Sequence, residues 1–254
     1  MNKGYSLRYT ESGLIFMDSK DNCNSVIDAM LVSGYNEEFC ISLDWDPLFI
    51  ANCMKAGFLV MSAAFPVKDQ NLGLADHSID LVLPKLHLER SALFFDNLHI
   101  KRSIFPVLPR YKLCFDTDFE TVVQKCLQIH GDIWLTPSLI KCIFKIREQA
   151  AKMPILSTAF FPKPVSFSLY RDGQLKAGEF GIICGRVYTS YSGYKEEDNS
   201  GTVQMILMAK ALEKAGFSFL DFGMPLDYKT DLGAINISPE QFVDIFRSAQ
   251  IEQG

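Results

Sequence analysis

The chain has 254 residues, 48% of them hydrophobic and 22% charged, with a formal net charge of −5. That balance excludes a disordered chain. The negative charge excludes a protein that grips nucleic acid with its whole surface, but not one with a local basic patch. The seven cysteines (Cys23, Cys40, Cys53, Cys114, Cys126, Cys142 and Cys184) are odd in number and form no C-x-x-C pair. This argues against a disulfide framework or a zinc site and for free thiols in a reducing compartment.

The opening MNKGYSLRYTESGL holds no apolar run that could serve as a signal-peptide core, so a cytoplasmic protein is expected. Residues 1–45 lack strong periodicity and read as strands and loops. From Asp46, DPLFIANCMKAGFLVM reads as a buried helix ended near Gly57 and followed by a short strand. The apolar run 48–65 is interrupted by Asn52 and Lys55 and is marginal in length for a membrane span, so no membrane partner is expected. The segment LPKLHLERSALFFDNLHIKRSIFPVLPR reads as irregular. Its prolines Pro106 and Pro109 place a boundary between an N-terminal domain, 1–105, and a main domain, 106–254.

Beyond Arg110 the signals sharpen. Residues 111–115 alternate as a strand, and TDFE at 117–120 reads as a capping box ahead of a helix. Thr136 and Pro137 open a second helix. Residues 165–170 and 175–184 form a hairpin about the Asp172–Gly173 turn, with a third strand from Arg186. A helix follows at 202–215, closed by Gly216, then a strand at 217–222. SPEQ at 238–241 is a second capping box before a last helix. Meandering strands followed by helix, strand and helix predict an α/β (α+β) domain with a mixed sheet flanked by helices, and a smaller α/β domain before it.

Four colinear blocks resemble the leucyl/phenylalanyl-tRNA–protein transferases. They are RSALF at 90–94 with LHIKRS at 98–103, WLT at 134–136, GEFG at 178–181 running on to Tyr188, and LDFG at 220–223 with LGA at 232–234 and Phe242. The resemblance covers about residues 50–250. It implies an acyltransferase-like (GNAT-like) fold that uses aminoacyl-tRNA as co-substrate and no other cofactor. Its implied partners are the tRNA 3′ end and a protein or peptide N-terminus. The implied reaction moves Leu or Phe onto an N-terminal Lys or Arg.

The same resemblance implies site residues. Asp221 stands where a base would sit at a strand end, and Tyr191 stands where the family has a glutamate. Trp134 matches a tryptophan that holds the terminal adenosine. Tyr188, Phe180, Ile143 and Leu220 fall at or near positions for an amino-acid pocket, with Ser190, Ser192 and Gly223 in the substrate-contacting blocks. Lys85, Arg90, Lys101 and Arg102, with Arg110 and Lys112, form the basic cluster suited to tRNA phosphate. The family's glutamate is lost at Tyr191 and its glutamine at Gly223. These departures leave two alternatives: a transferase with a different donor or acceptor, and a non-catalytic binding protein of the same fold. The acidic turn KEEDNSG at 195–201 disfavours a pyrophosphate such as that of coenzyme A. The histidines show no metal spacing.

Overall fold

The computed structural model describes residues 5–67, 77–153 and 161–250. The chain opens with three two-residue strands, β1 (Arg8–Tyr9), β2 (Ile15–Phe16) and β3 (Cys40–Ile41), which form one small sheet. Helix α1 (Cys23–Ser33) lies between β2 and β3. Asn22 caps its start by accepting from Ser25 N, and Gly34 ends it in the left-handed conformation. The weak periodicity of residues 1–45 concealed this helix. Helix α2 (Pro47–Ala56) has Pro at its first turn and stops at Gly57, as the sequence suggests.

Strands β4 (Leu59–Val67) and β5 (His77–Lys85) pair antiparallel as a separate ribbon. β6 (Arg90–Leu93) follows, then β7 (Lys112–Phe115), α3 (Phe119–His130) and α4 (Pro137–Lys152). The hairpin β8 (Lys163–Arg171) and β9 (Gln174–Cys184) leads into β10 (Val187–Lys195). The chain closes with α5 (Ser200–Lys214), β11 (Phe219–Gly223), α6 (Asp227–Asp231), β12 (Ile235–Ile237) and α7 (Pro239–Ser248). The main sheet has the order β12-β6-β11-β10-β9-β8-β7. Only β10 and β11 are parallel within it; the other pairs are antiparallel.

The expected mixed α/β architecture is present, with helices on both faces of the sheet. One core joins Val26 of α1, Phe49 of α2, Val122 of α3, Ile143 of α4 and Phe242 of α7 to Phe180 and Phe219 of the sheet. On the other face, α5 supplies Val203, Ile206, Met208 and Leu212 against Leu169, Tyr188 and Leu220. The boundary placed at 105/106 does not divide this molecule. β6 lies before it in sequence yet pairs with both β11 and β12, and the first core runs from Ile15 to Ala249.

Local signals fare unevenly. The capping box at Ser238 is complete, with both reciprocal bonds to Gln241. The one read at Thr117 does not form: the Thr117 hydroxyl donates to the Asp118 carboxylate, and Asp118 is the cap residue without a side-chain cap bond. Among the described residues no helix is long and apolar enough to cross a membrane.

Gly233 has the closest neighbour among the described glycines. Its φ is +96°, and a Cβ there would lie 1.9 Å from Asn97 O, where the loop after β6 docks through His99 N donating to Leu232 O at 2.9 Å. Gly233→Ala should therefore lose about 2–3 kcal/mol of unfolding free energy, read as a lower urea midpoint at unchanged slope.

Candidate active site

The site forms where β6 crosses β11. Asp221 is fully buried, and four donors surround its carboxylate. Arg90 Nε donates to Oδ1 at 2.8 Å and Arg90 Nη2 to Oδ2 at 2.6 Å. Thr189 Oγ1 donates to Oδ2 at 2.8 Å, and Gly223 N to Oδ1 at 2.9 Å. The Arg90 guanidinium also lies 4.4 Å from the Phe242 ring centroid. Its remaining arm, Nη1, meets His87 Nδ1 at 2.8 Å. Burial first, then the positive charges of Arg90, Lys85 and Lys229, push His87 far below the ordinary imidazole range. The ring stays neutral, so Nδ1 can accept from Arg90.

This geometry corrects two readings. Arg90 is not a tRNA contact: it is 1% exposed and bound to Asp221 on two arms. Asp221 is not a free base: an ion pair and two further donors hold its lone pairs, so it orients β6 and the Gly223 turn rather than waiting for a proton. Gly223 has φ +71°, a conformation the Asp221 bond fixes at the strand end.

Tyr191 and Trp134 are nonetheless both tied to one strand, β4. Val60 N donates to the Tyr191 hydroxyl at 3.0 Å, and two residues on, Ser62 N donates to Trp134 O at 3.0 Å. The Ser62 hydroxyl also meets Thr136 Oγ1 at 3.0 Å, which fixes the turn that opens α4. Tyr191 lies within electrostatic reach of Arg90 and Asp221, and its ring packs 6.2 Å from that of Phe180. Burial pushes the Tyr191 hydroxyl well above its ordinary range, so it remains a phenol that accepts from Val60 and keeps its own proton to donate. Trp134 is half-buried against the core.

The four residues expected in an amino-acid pocket do not share one. Phe180 and Ile143 belong to the core on the Asp221 face, whereas Tyr188 and Leu220 belong to the core on the α5 face. All four are at most 1% exposed. Tyr188 and Leu220 are register partners on adjacent strands and share a face, whereas Phe180 on β9 points to the opposite one, where α4 brings Ile143. Ser190 is half-buried. Ser192 is buried beyond a bulge in β10, and its carbonyl accepts from Cys126 Sγ.

The basic cluster is also dispersed. Lys85 pairs with Glu38 at 2.8 Å, over the Phe39 ring, with its side chain 12% exposed. Lys101 is exposed but paired with Asp231 at 2.6 Å, and Arg102 is exposed. Arg110 and Lys112 line an open cleft of about 600 Å³ at the β7 edge, four strands away from β11.

Sequence reasoning passed over a second buried acid, Glu179 on β9. Burial pushes its carboxyl up to about 7, although Ser190, Lys229 and Tyr188 all favour the charged form. Its Oε1 and the Tyr188 hydroxyl are buried without a well-aligned hydrogen bond. The signal was in plain view: a glutamate inside the strand LKAGEFGII, where apolar or small residues flank it on both sides.

Two outcomes follow for stability. Asp221→Asn leaves Arg90 buried without its counter-charge and should cost about 3–5 kcal/mol, measured by urea unfolding. Glu179 holds its proton in the fold above the ordinary value of 4.5. Its stabilising contribution is therefore complete below about pH 4.5 and lost as pH rises through about 7. Relative to Glu179→Gln, the natural chain should lose stability on the order of 3 kcal/mol over that window. The window lies below the titration of Lys229, which burial pushes down to about 8.

Residues 92–247 match the sequence model described as leucyl/phenylalanyl-tRNA protein transferase. The chain is 29% identical over 160 residues to the leucyl/phenylalanyl-tRNA–protein transferase of Pseudomonas putida (strain W619) and 30% identical to that of Pseudomonas entomophila (strain L48). Each alignment covers 61% of this chain and 66% of the relative, so the chain spans just under two thirds of the relatives' length. Among solved structures, L-PGS from Bacillus licheniformis is similar at a TM-score of 0.42 and 10% identity, over 96% of this chain and 88% of that one. The family match takes in β11 and the Trp134 turn together, and the chain belongs to the leucyl/phenylalanyl-tRNA protein transferase family.

Proposed function

We propose that the chain moves an aminoacyl group from the 3′ end of a charged tRNA to the N-terminal amine of a protein or peptide in the cytoplasm. In the form its family implies, the donor carries Leu or Phe and the acceptor begins with Lys or Arg. The observation that carries this reading is that Tyr191 and Trp134, both within the residues that match the family, bond to Val60 and Ser62 of β4, with Asp221 in electrostatic reach of Tyr191.

In the reaction, the amine nitrogen attacks the ester carbonyl carbon, the C–N bond forms, and the C–O bond to the terminal ribose breaks. The proton lost by the amine ends on the leaving ribose hydroxyl. The ester supplies the driving force, so no cofactor is required. An unprotonated amine attacks an ester without a strong base, and holding the two in attack geometry contributes as much as about 7–11 kcal/mol. A neutralised Asp221 suits that economy: it fixes the surrounding backbone while proximity lowers the barrier. The Tyr191 hydroxyl is suited to donate to the oxygen that gains negative charge. The half-buried Trp134 ring is suited to stack on the terminal adenine. Lys101 and Arg102, both exposed, are suited to the backbone phosphates.

A second reading has one observation in its favour. Asp221 is occupied by four donors, which also suits a protein that keeps the fold and binds without transfer.

Charged leucyl- or phenylalanyl-tRNA supplied with an Arg-started peptide separates the two. The expected result is a peptide extended by one residue. Trp134→Ala should lower kcat/KM about 5- to 150-fold, the equivalent of losing about 1–3 kcal/mol of stacking, while Trp134→Phe keeps most of the rate. Folded protein that transfers nothing from either tRNA contradicts the transferase reading and leaves the binding one.

A further inference from the structure

Strand β4 pairs with β5 along one edge, and from the other Ser62 holds the turn that carries Trp134. Ser62 N donates to Trp134 O at 3.0 Å. Its hydroxyl oxygen donates to the same carbonyl at 3.3 Å, accepts from Thr136 N at 3.0 Å and lies 3.0 Å from Thr136 Oγ1. A hydroxyl has one proton and two lone pairs. With its proton on Trp134 O, the Ser62 oxygen has a lone pair for each Thr136 donor, so this buried group is used in full. Thr136 bears the local cost. It stands at the cap position of α4, where threonine normally bonds the first free N–H groups, yet its side chain makes no cap bond. Its hydroxyl is turned to Ser62 instead, 74 residues away in sequence. Leu135 is buried in the core whereas Ile133 is 80% exposed, so the half-buried Trp134 stands at the boundary between them.

We infer that Ser62 is the positioning residue for Trp134: by tying the carbonyl of Trp134 and the N–H of Thr136 to one oxygen, it sets where the indole stands at the edge of the core. A half-buried ring is not fixed by packing alone, and its stacking face is placed only as well as the backbone beneath it. The tie takes a hydroxyl that α4 would otherwise use on its own first turn, a long-range bond in place of a local one. Ser138, two residues further on, donates to Asp80 of β5 at 2.6 Å, so both strands of the ribbon hold this end of α4. Ser62 acts through Trp134 and not on the substrate itself. It lies outside residues 92–247, so the family match does not contain it. Its use in transfer rests on the reading proposed above, whereas its hold on Trp134 does not.

Ser62→Ala and Ser62→Thr test this in a Trp45→Phe background, which leaves Trp134 as the one indole of the chain. Acrylamide should quench Trp134 fluorescence about twofold more strongly in Ser62→Ala, because the untied turn opens locally. Ser62→Thr keeps the oxygen and should match the background protein. In transfer, Ser62→Ala should raise the KM for charged tRNA about 5- to 20-fold, part of the stacking loss, and leave the KM for the acceptor peptide unchanged. A merely structural role would lower kcat with the amount of folded protein and would not separate the two KM values. Thermal unfolding identifies the folded variants. Should Ser62→Ala not fold, Thr136→Val removes one bond of the same set and carries the same expectations. Unchanged quenching in a folded Ser62→Ala overturns the inference, as does a folded Ser62→Thr that behaves like Ser62→Ala. So does an active Ser62→Ala whose KM for charged tRNA does not move, or loss of the fold in both Ser62→Ala and Thr136→Val. If the natural chain transfers nothing, quenching alone decides: a more accessible Trp134 in Ser62→Ala upholds the positioning while the transferase reading fails.

Discussion

The bidentate pair between Arg90 and Asp221 is the interaction on which the rest of the molecule depends. It joins residues 131 apart in sequence, and neither side chain is exposed by more than 1%. Removing two such charges from water costs several kcal/mol each, and attraction alone seldom offsets that. Here the polar groups are multiply satisfied. Asp221 gains Thr189 and Gly223 as further donors, and Arg90 gains neutral His87 and the face of Phe242. Each charge is therefore expensive to strand, and the pair fixes β6 between β12 and β11 in a sheet otherwise built from residue 112 onward.

From that fixed point the two faces of the sheet acquire different chemistry. On one face, β4 holds Tyr191 and Trp134 through backbone bonds donated by Val60 N and Ser62 N. These are uncharged, preorganised groups, suited to holding reactants rather than to removing protons. On the other face, Glu179 and Lys229 carry charges that burial has drawn toward neutrality from opposite directions. A departure from the family pattern falls on the first face, where Tyr191 replaces the family's glutamate.

Much of the fold was legible because its signals are local. Gly57 ends α2, Asp172 and Gly173 turn the hairpin with positive φ, and Ser238 caps α7 through Gln241. β6 was not legible, because RSAL is short and its arginine looks like a surface cation unless the partner at 221 is known. The domain boundary failed for the same reason: prolines at 106 and 109 mark a local irregularity, not the limit of a core whose contacts are distant. Thr117 misled because the helix begins one residue later, with Asp118 rather than Thr117 at its cap position. The candidate site was legible in part. The blocks point to Tyr191 and Trp134, which both bond to β4, yet they could not reveal that Asp221 is already paired with Arg90, nor that pocket positions on three strands and a helix would be split between the two faces of the sheet.

The account turns on whether Arg90 and Asp221 act as one unit, and a double-substitution cycle measures that directly. Arg90→Leu, Asp221→Leu and the combined variant would be compared with the natural chain by urea unfolding. The account predicts a coupling of at least about 2 kcal/mol, with the combined variant more stable than either single one, since no buried charge is left stranded. Effects that simply add, to within about 0.5 kcal/mol, would contradict it and leave the two residues as independent members of the core.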